Sequence, residues 1–405
     1  RAQARWSAVG GMSAVVTADL LDRVRDRLAV SAVTPVPATV AAAIRAEAGG
    51  VIGDTDMLAA LRVLQTELTG AGPLEPLLSE PGVTDVLVTA PDQVWIDRGR
   101  GLERTDVRFV DESAVRRLAQ RLALSAGRRL DDAQPWVDGR LPGVGQGAFG
   151  VRLHAVLAPV ASGGTCVSLR VLRPATQGLT ALRASGAVPE DGYELLRRIV
   201  CGRLAFLVVG GTGAGKTTLL AALLGEVDPA ERIVCVEDAA ELAPAHPHVV
   251  RLVARAPNVE GVGEVSVRQL VRQALRMRPD RLVVGEVRGA EVIDLMTALN
   301  TGHDGGAGTI HANSPAEVPA RLEALAALGG MGRDALHSQL AAAVQVVLHV
   351  HRSADGTRRL REIGVVDVDP SGRVHIAAAW SVDADATPGE GRLLELLDRR
   401  CGDSR

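Results

Sequence analysis

The apolar positions along the chain mark three regions of different pattern. Residues 13–71 carry leucine and valine at helical spacing, as at Leu20 and Val24, which predicts a short helical N-terminal segment. Residues 72–173 combine short β-type runs with a helix for which Asp111 is the predicted N-cap. We therefore expect a smaller, mixed α/β N-terminal domain after the helical segment.

Residues 190–405 show the third pattern, in which strand-type and helical runs alternate. The strand-type runs lie at residues 204–209, 232–237, 281–286 and 307–312, and their central residues are mostly apolar, as expected for strands buried on both faces. Such alternation is typical of an α/β fold with a parallel sheet covered by helices on both sides. The segment 174–189 has few long apolar runs and two prolines, which indicates a linker.

The turn after the first of these strands has the sequence GGTGAGKTT, at residues 210–218. It fits the pattern G-x-x-x-x-G-K-[ST], in which backbone N–H groups and the positive end of the following helix face phosphate oxygens. Lys216 is expected to bridge the β- and γ-phosphates of ATP, and the Thr217 hydroxyl to bind Mg²⁺. The predicted ATP-binding residues of this loop are Gly211, Thr212, Gly213, Ala214, Gly215, Lys216, Thr217 and Thr218.

Composition strengthens the case for this lysine. Lysine and arginine together number 45, and Lys216 is the one lysine among them. Arginine does not replace lysine where a compact ammonium must fit between phosphates. The formal net charge of −3 and the few aromatic residues (Phe 3, Trp 4, Tyr 1) argue against a nucleic-acid-binding surface. No run approaches about 18 apolar residues, so no transmembrane segment is predicted.

Carboxylates follow two of the other apolar strands. Glu286 comes after Gly285, at the place where common P-loop enzymes carry an aspartate that holds Mg²⁺ through water. Two roles are open for Glu286, outer-sphere ligand of Mg²⁺ or general base for the attacking water. Glu237 and Asp238 end the strand at 232–237, where they could position metal and water, or form an acidic turn at a helix start.

Histidines and arginines supply further groups that could reach a phosphate. His303 and His311 flank a glycine-rich turn and a strand; each could donate a hydrogen bond to the γ-phosphate or be a structural residue. Arg140, Arg152 and Arg170 lie towards the end of the mixed domain. An arginine from another domain or subunit can stabilise phosphoryl-transfer charge, and the alternative is a solvated cation.

Together, four blocks of the sequence resemble the secretion-ATPase superfamily of type II and type IV secretion systems, most closely the tight-adherence (Flp) pilus assembly ATPases, the CpaF-like group. The blocks are GGTGAGKTT, VEDAAEL, VRQLVRQALRMRPDRLVVGEVRG and TGHDGGAGTIHANSP. The resemblance implies a RecA-like P-loop ATPase domain after the smaller mixed domain. It also implies that Glu286, one of Glu237 and Asp238, and one of His303 and His311 surround the γ-phosphate.

The same resemblance implies a biological role. ATP and Mg²⁺ are the implied cofactors, and ATP is hydrolysed to ADP and phosphate. The implied assembly is a homohexameric motor in the cytoplasm, peripherally associated with the inner face of the cytoplasmic membrane. Hydrolysis would move the N-terminal domain against the RecA-like domain and so drive an inner-membrane platform protein that adds pilin or exports a substrate.

Two other functions are compatible with a P-loop domain. One is a nucleic-acid translocase or helicase-like ring ATPase, against which the acidic net charge and the scarce aromatic residues argue. The other is a nucleotide-gated switch with little turnover, which would bind ATP tightly and release almost no phosphate. The order of the four blocks in one α/β region favours the secretion or pilus motor.

Overall fold

The structure is a computed structural model. It describes residues 20, 23–24, 27, 37–49, 52–58, 60–61, 70–141, 144, 150–173, 175–255, 257–258 and 261–402. The chain divides into two compact units, Arg1–Leu172 and Arg173–Arg405. Much of the predicted helical segment 13–71 lies outside the described residues. Its described part contains helix α1 (Pro37–Glu47), which begins at a proline that suits a first helical position.

The first unit contains an antiparallel sheet packed against a helix. Its helices are α2 (Glu75–Ser79) and α3 (Glu112–Ser125), with a 3₁₀ turn at Gly72–Leu74. Its strands are β1 (Asp85–Ala90), β2 (Gln93–Asp97), β3 (Leu102–Arg104), β4 (Trp136–Leu141), β5 (Val151–Val156) and β6 (Cys166–Val171). Within the described residues they form one sheet in the order β3-β2-β1-β6-β5-β4, with antiparallel neighbours.

Helix α3 covers one face of this sheet. The Asp111 carboxylate accepts a hydrogen bond from the Ala114 N–H at 2.7 Å, which confirms the predicted N-cap. The apolar stripe of α3, including Val115, Leu118 and Leu122, is buried against inward-facing strand residues. The alternation along the strands leaves the opposite face to polar and charged side chains, and this face carries the candidate arginines described below.

The second unit is built around a larger, mostly parallel sheet. Its strands are β7 (Phe206–Val209), β8 (Ile233–Glu237), β9 (Val249–Val253), β10 (Arg281–Val287), β11 (Ala307–Ile310), β12 (Val346–Arg352), β13 (Arg358–Val368) and β14 (Val374–Ser381). Across the described residues their order is β14-β13-β12-β7-β11-β10-β8-β9. Neighbouring strands from β12 to β9 are parallel, while β13 and β14 add antiparallel strands at one side.

Helices cover both faces of this sheet, as predicted. They are α4 (Leu179–Ala184), α5 (Glu190–Cys201), α6 (Lys216–Leu224), α7 (Val267–Ala274), α8 (Glu291–Leu299), α9 (Val318–Leu328), α10 (Arg333–Ala343) and α11 (Glu390–Gly402), with 3₁₀ turns at Leu275–Met277 and Pro315–Glu317. Phe206 and Val208 face a core shared with α4, α5, α6 and α11. Leu207 points the other way, into a core shared with α7, α8, α9 and α10. The α/β class is therefore confirmed.

The segment 174–189, which the sequence indicates as a linker, contains packed structure. Its helix α4 buries Leu179 and Leu182 in a core of the second unit. The short length of α4 and the prolines at both ends of the segment hide this helix from a search for long apolar runs. Among the described residues, no helix has the length and apolar character needed to cross a membrane.

Candidate nucleotide-binding site

The glycine-rich loop joins β7 to α6, as the motif requires. The helix begins at Lys216, and Gly215 before it has φ +99°, a left-handed conformation that favours glycine. The first N–H groups of an α-helix have no partner inside the helix, and the helix dipole adds positive charge at the same end. The loop and the start of α6 therefore provide the backbone donors of a phosphate site.

Lys216 is the centre of the site. Only 8% of the residue is exposed, and its ammonium lies 3.1 Å from the Gly210 carbonyl oxygen, 3.0 Å from that of Gly211 and 3.2 Å from His311 Nδ1. Burial lowers the pKa of Lys216, an effect that the nearby carboxylate of Glu286 opposes. Its three N–H donors thus face neutral acceptors, which phosphate oxygens could replace.

His311 connects the lysine to the carboxylate of Glu286. An ammonium can only donate, so His311 Nδ1 must accept, and the ring hydrogen of a neutral imidazole then sits on Nε2. That Nε2 lies 2.7 Å from Glu286 Oε1. Burial and the charge of Lys216 lower the pKa of His311, which favours this neutral form at neutral pH.

Arg288 extends the chain of contacts beyond Glu286. Its guanidinium binds the Glu286 carboxylate through Nη2 and lies 3.4 Å from Asp238 Oδ2 through Nη1. The structure therefore brings Lys216, His311, Glu286 and Asp238 to one place. Sequence analysis did not single out Arg288, although its position two residues after Glu286 in a recognised block was an available signal.

Glu237 takes a different position from Asp238. It is 3% exposed, and its Oε1 accepts hydrogen bonds from the N–H groups of Glu241 (3.0 Å) and Leu242 (2.8 Å). Burial raises its pKa to about 7. A Cβ atom at Gly285 on the adjacent strand would lie 2.8 Å from Glu237 Cγ. Glycine thus stands at the aspartate position of other P-loop enzymes because the Glu237 side chain occupies that space.

The two histidines of the last block lie at opposite ends of β11. His311 follows this strand, and His303 precedes it. Because β11 runs parallel to β7, residues before β11 lie at the edge away from the phosphate loop. His303 Nδ1 instead donates to the Ala298 carbonyl oxygen, at 3.1 Å, near the end of α8. Of the two candidates, the structure places His311 at the site and His303 away from it.

The candidate arginines of the first unit form a row across the polar face of its sheet. In the strand register Arg140 lies opposite Arg152, and Arg152 opposite Arg170. Arg152 binds the Asp138 carboxylate at 2.6 and 3.1 Å, and Arg170 binds Asp85 at 2.9 Å. The structure therefore brings the three arginines together, each on a neighbouring strand. Their contact with phosphate stays a prediction.

The residues at the carboxyl edge of the second sheet fit a Mg²⁺–nucleotide complex. Thr217 stands in the first turn of α6, and Glu286 near the end of β10. In the part of the chain that the structure describes, no three histidine, cysteine or acidic side chains could together hold a metal ion. Mg²⁺ in nucleotide sites takes few protein oxygens, with phosphates and water completing its shell, so binding by Thr217, and by Glu286 through water, stays a prediction.

Comparison with known proteins places this site in a family. A putative conjugal transfer protein of Mycobacterium tuberculosis is 70% identical over 349 residues, which span 86% of this chain and 99% of that protein. The type IV secretion system protein PtlH of Bordetella pertussis is 33% identical over 315 residues, covering 71% of this chain and 91% of PtlH.

The comparison also gives a solved structure and a family description. The VirB11 ATPase of the Brucella suis type IV secretion system, crystallised with sulphate, is 28% identical, with 76% of this chain and 98% of that chain covered and a TM-score of 0.39. The family described as type II/IV secretion system protein matches residues 67–393, which include the phosphate loop, both carboxylate strands and His311. By that match and by its curated relatives, the chain belongs to the type II/IV secretion system protein family.

Proposed function

We propose that the chain is an ATPase that binds ATP with Mg²⁺ and hydrolyses it to ADP and phosphate. The observation that carries this proposal is the buried Lys216, whose ammonium faces neutral acceptors beside the carboxylate of Glu286. A buried cation with exchangeable neutral partners is suited to receive a polyanion.

The residues around Lys216 suggest distinct roles in hydrolysis. Bound Mg²⁺ would neutralise charge on the phosphates, with Thr217 and Glu286 as its protein partners. Lys216 would leave the loop carbonyls and bind the β- and γ-phosphates. His311 would then lose its partner on Nδ1 while keeping Glu286 close on Nε2. Glu286 is the group placed to orient the attacking water or to accept its proton.

Glu237 has a supporting role in this proposal. Its carboxylate is buried and accepts two backbone hydrogen bonds, so it holds the start of the segment after β8. Asp238, which reaches Arg288, is the better placed of the two for contact with water or metal near the nucleotide. The arrangement therefore separates the two acids that sequence analysis treated as equivalent candidates.

We further propose that ATP hydrolysis drives export in a type II/IV secretion system or assembly of a tight-adherence pilus. Family membership supports the secretion role, and the four sequence blocks support the tight-adherence assignment. In this proposal the chain acts as a homohexamer in the cytoplasm, against an inner-membrane platform protein. The name of the Mycobacterium tuberculosis relative refers to conjugal transfer, but the net charge of −3 supports a motor without direct nucleic-acid contact.

Two variants test the ATPase proposal. Lys216→Ala should weaken Mg·ATP binding at least about a hundredfold, or about 2.7 kcal/mol, because the phosphates lose their main cation. Glu286→Gln should retain binding and lose about 10²- to 10⁴-fold in kcat, because a neutral amide cannot accept the proton of water. Calorimetry gives the affinities, and phosphate release gives the rates.

Arg276→Ala is a matched control for the lysine variant, because it removes an exposed cation from the 3₁₀ turn Leu275–Met277, outside the site. It should leave both measurements unchanged. Near-normal binding by Lys216→Ala would refute the loop assignment. Weaker binding by Glu286→Gln would assign Glu286 mainly to Mg²⁺. Wild-type protein that binds Mg·ATP but releases almost no phosphate as an oligomer would favour the nucleotide-gated switch.

A further inference from the structure

The hairpin formed by β12 and β13 packs against the phosphate loop. Arg352, the last residue of β12, lies directly opposite Arg358, the first of β13. The turn between them is closed by a hydrogen bond from the Ser353 N–H to the Thr357 carbonyl oxygen, at 2.8 Å. Arg358 lies 145 positions after Gly213, the loop residue that it contacts.

The loop has little free space on the hairpin side. A Cβ atom at Gly210 would lie 2.3 Å from the Val350 carbonyl oxygen, and one at Gly213 would lie 3.4 Å from Arg352 Nη1. A Cβ atom at Gly215 would lie 3.5 Å from Arg358 Cδ. The glycines of the loop thus allow the hairpin backbone and its two arginines to approach closely.

Arg358 makes a direct hydrogen bond to the loop. Its Nε donates to the Gly213 carbonyl oxygen at 2.8 Å. The N–H of the same peptide group, on Ala214, donates to the Gly211 carbonyl oxygen at 3.3 Å. Because a peptide group is planar, anchoring both its oxygen and its N–H fixes its orientation. Arg358 therefore holds the Gly213–Ala214 peptide from outside the loop.

Lys216 anchors the loop in the same way, but only until a nucleotide binds. Its ammonium holds the carbonyl oxygens of Gly210 and Gly211, and it must leave them to reach the phosphates. The hydrogen bond from Arg358 does not involve any group that the phosphates need. It can therefore persist when the lysine moves and keep the Gly213 carbonyl oxygen turned away from the phosphates.

We propose that Arg358 is a positioning residue for the triphosphate, acting through the Gly213 carbonyl to keep the phosphate loop in its binding conformation. This inference rests on the proposed ATPase function. It assigns a role in that function to a residue that is distant from the loop in the sequence of the same unit. The role is one of binding: Arg358 holds the loop amides in place for the ground state and takes no part in the chemical step.

The test compares Arg358→Met with Arg358→Lys and with Arg359→Met. Arg359 is an exposed neighbour in sequence, and a Cβ atom at Gly186 would lie 4.0 Å from its Nη2. Affinities for Mg·ATP and for Mg·tripolyphosphate are measured by calorimetry, and KM and kcat by phosphate release. Arg358→Met should bind both ligands about three- to tenfold more weakly, raise KM by a similar factor and leave kcat within about twofold. Arg358→Lys, which keeps a donor, should recover most of the affinity.

The tripolyphosphate measurement separates two mechanisms. A loss of affinity for ATP alone would mean that Arg358 contacts the nucleoside, which would overturn the inference. Equal binding by wild type and Arg358→Met, or an equal loss in Arg359→Met, would also overturn it. A thermal unfolding midpoint near that of the wild type shows that each variant is folded. If the wild-type protein does not bind Mg·ATP, the proposed function itself is wrong.

Discussion

The two edges of the parallel sheet in the second unit hold their buried cations in different ways. At the amino edge, Arg281 begins β10 and is 2% exposed. It binds the Glu231 carboxylate at 2.7 and 3.1 Å and the Val200 carbonyl oxygen at 2.9 Å. At the carboxyl edge, Lys216 has two carbonyl oxygens and an imidazole as direct partners.

Arg281 and Lys216 are both buried, and they differ in the charge of their direct partners. A guanidinium held by a carboxylate through two nitrogens is neutralised within the protein, and removal of either group leaves a buried charge. An ammonium held by neutral acceptors keeps its charge available for an incoming anion. In this unit, the cation with neutral direct partners is the one proposed to receive a ligand, and the cation with an acidic partner forms a structural pair.

The largest effect is expected from breaking the ion pair between Arg281 and Glu231. Arg281→Met should lower the free energy of unfolding by about 3 to 5 kcal/mol, because it removes a buried guanidinium and leaves the half-buried Glu231 carboxylate with its contact to Arg203 at 3.2 Å. Urea unfolding measures this loss. The double variant Arg281→Met with Glu231→Gln should recover part of it. Mg·ATP affinity of the folded protein should not change, and a large change would mean that the two edges are not independent.

A smaller effect concerns the buried acid at the carboxyl edge. Burial raises the pKa of Glu237 from 4.5 to about 7. Between pH 4.5 and 7, this carboxyl group therefore holds its proton more tightly in the folded protein than in the unfolded chain. Its stabilising contribution is complete below about pH 4.5 and is lost as pH rises through 7. The wild type should therefore lose on the order of 3 kcal/mol relative to Glu237→Gln between pH 5 and 8.

Unfolding in urea across this pH range measures the contribution of Glu237. Glu264→Gln is a suitable control, because it neutralises an exposed acid on the surface of the same unit. Parallel stability curves for the wild type and Glu237→Gln would show that Glu237 stays ionised in the folded protein. It would then be a buried charge that the N–H groups of Glu241 and Leu242 stabilise.

The smallest effect is expected for His303 and His311, the two histidines of the block TGHDGGAGTIHANSP. His311→Gln should lower ATPase kcat about tenfold, or about 1.4 kcal/mol, because the link between Lys216 and Glu286 is lost. His303→Gln, its matched control, should change kcat less than twofold, because that ring contacts only the Ala298 carbonyl oxygen among the described residues. Equal losses of kcat in the two variants would contradict the placement of His311 at the site and of His303 at the opposite edge of the sheet.

The strands of the parallel sheet and the phosphate loop could be predicted because each is encoded by consecutive residues. Runs such as LAFLVV, and the apolar centre of RLVVGE, have the length and composition expected of strands with both faces covered. The loop is encoded by consecutive residues. The N-cap at Asp111 was likewise predictable from adjacent positions. By contrast, α4 is too short to show a periodic pattern of its own.

The details of the site depend on residues that are distant in sequence. The block VEDAAE does not reveal that Glu237 points inward, since the space for it is provided by Gly285 on another strand. His303 and His311 look equivalent until the direction of β11 is known. The contact of Arg358 with Gly213 joins residues 145 positions apart, and no local pattern records it.

The position of the single lysine has a practical consequence for chemical modification. Among the side chains of this chain, only Lys216 carries a primary amine, and that amine lies at the proposed phosphate site. Burial lowers its pKa, which increases the fraction present as the nucleophilic free amine at a given pH. An acylating reagent directed at lysine should therefore modify one side chain. If bound ATP protects Lys216 from the reagent, the extent of labelling measures how much of the site ATP occupies.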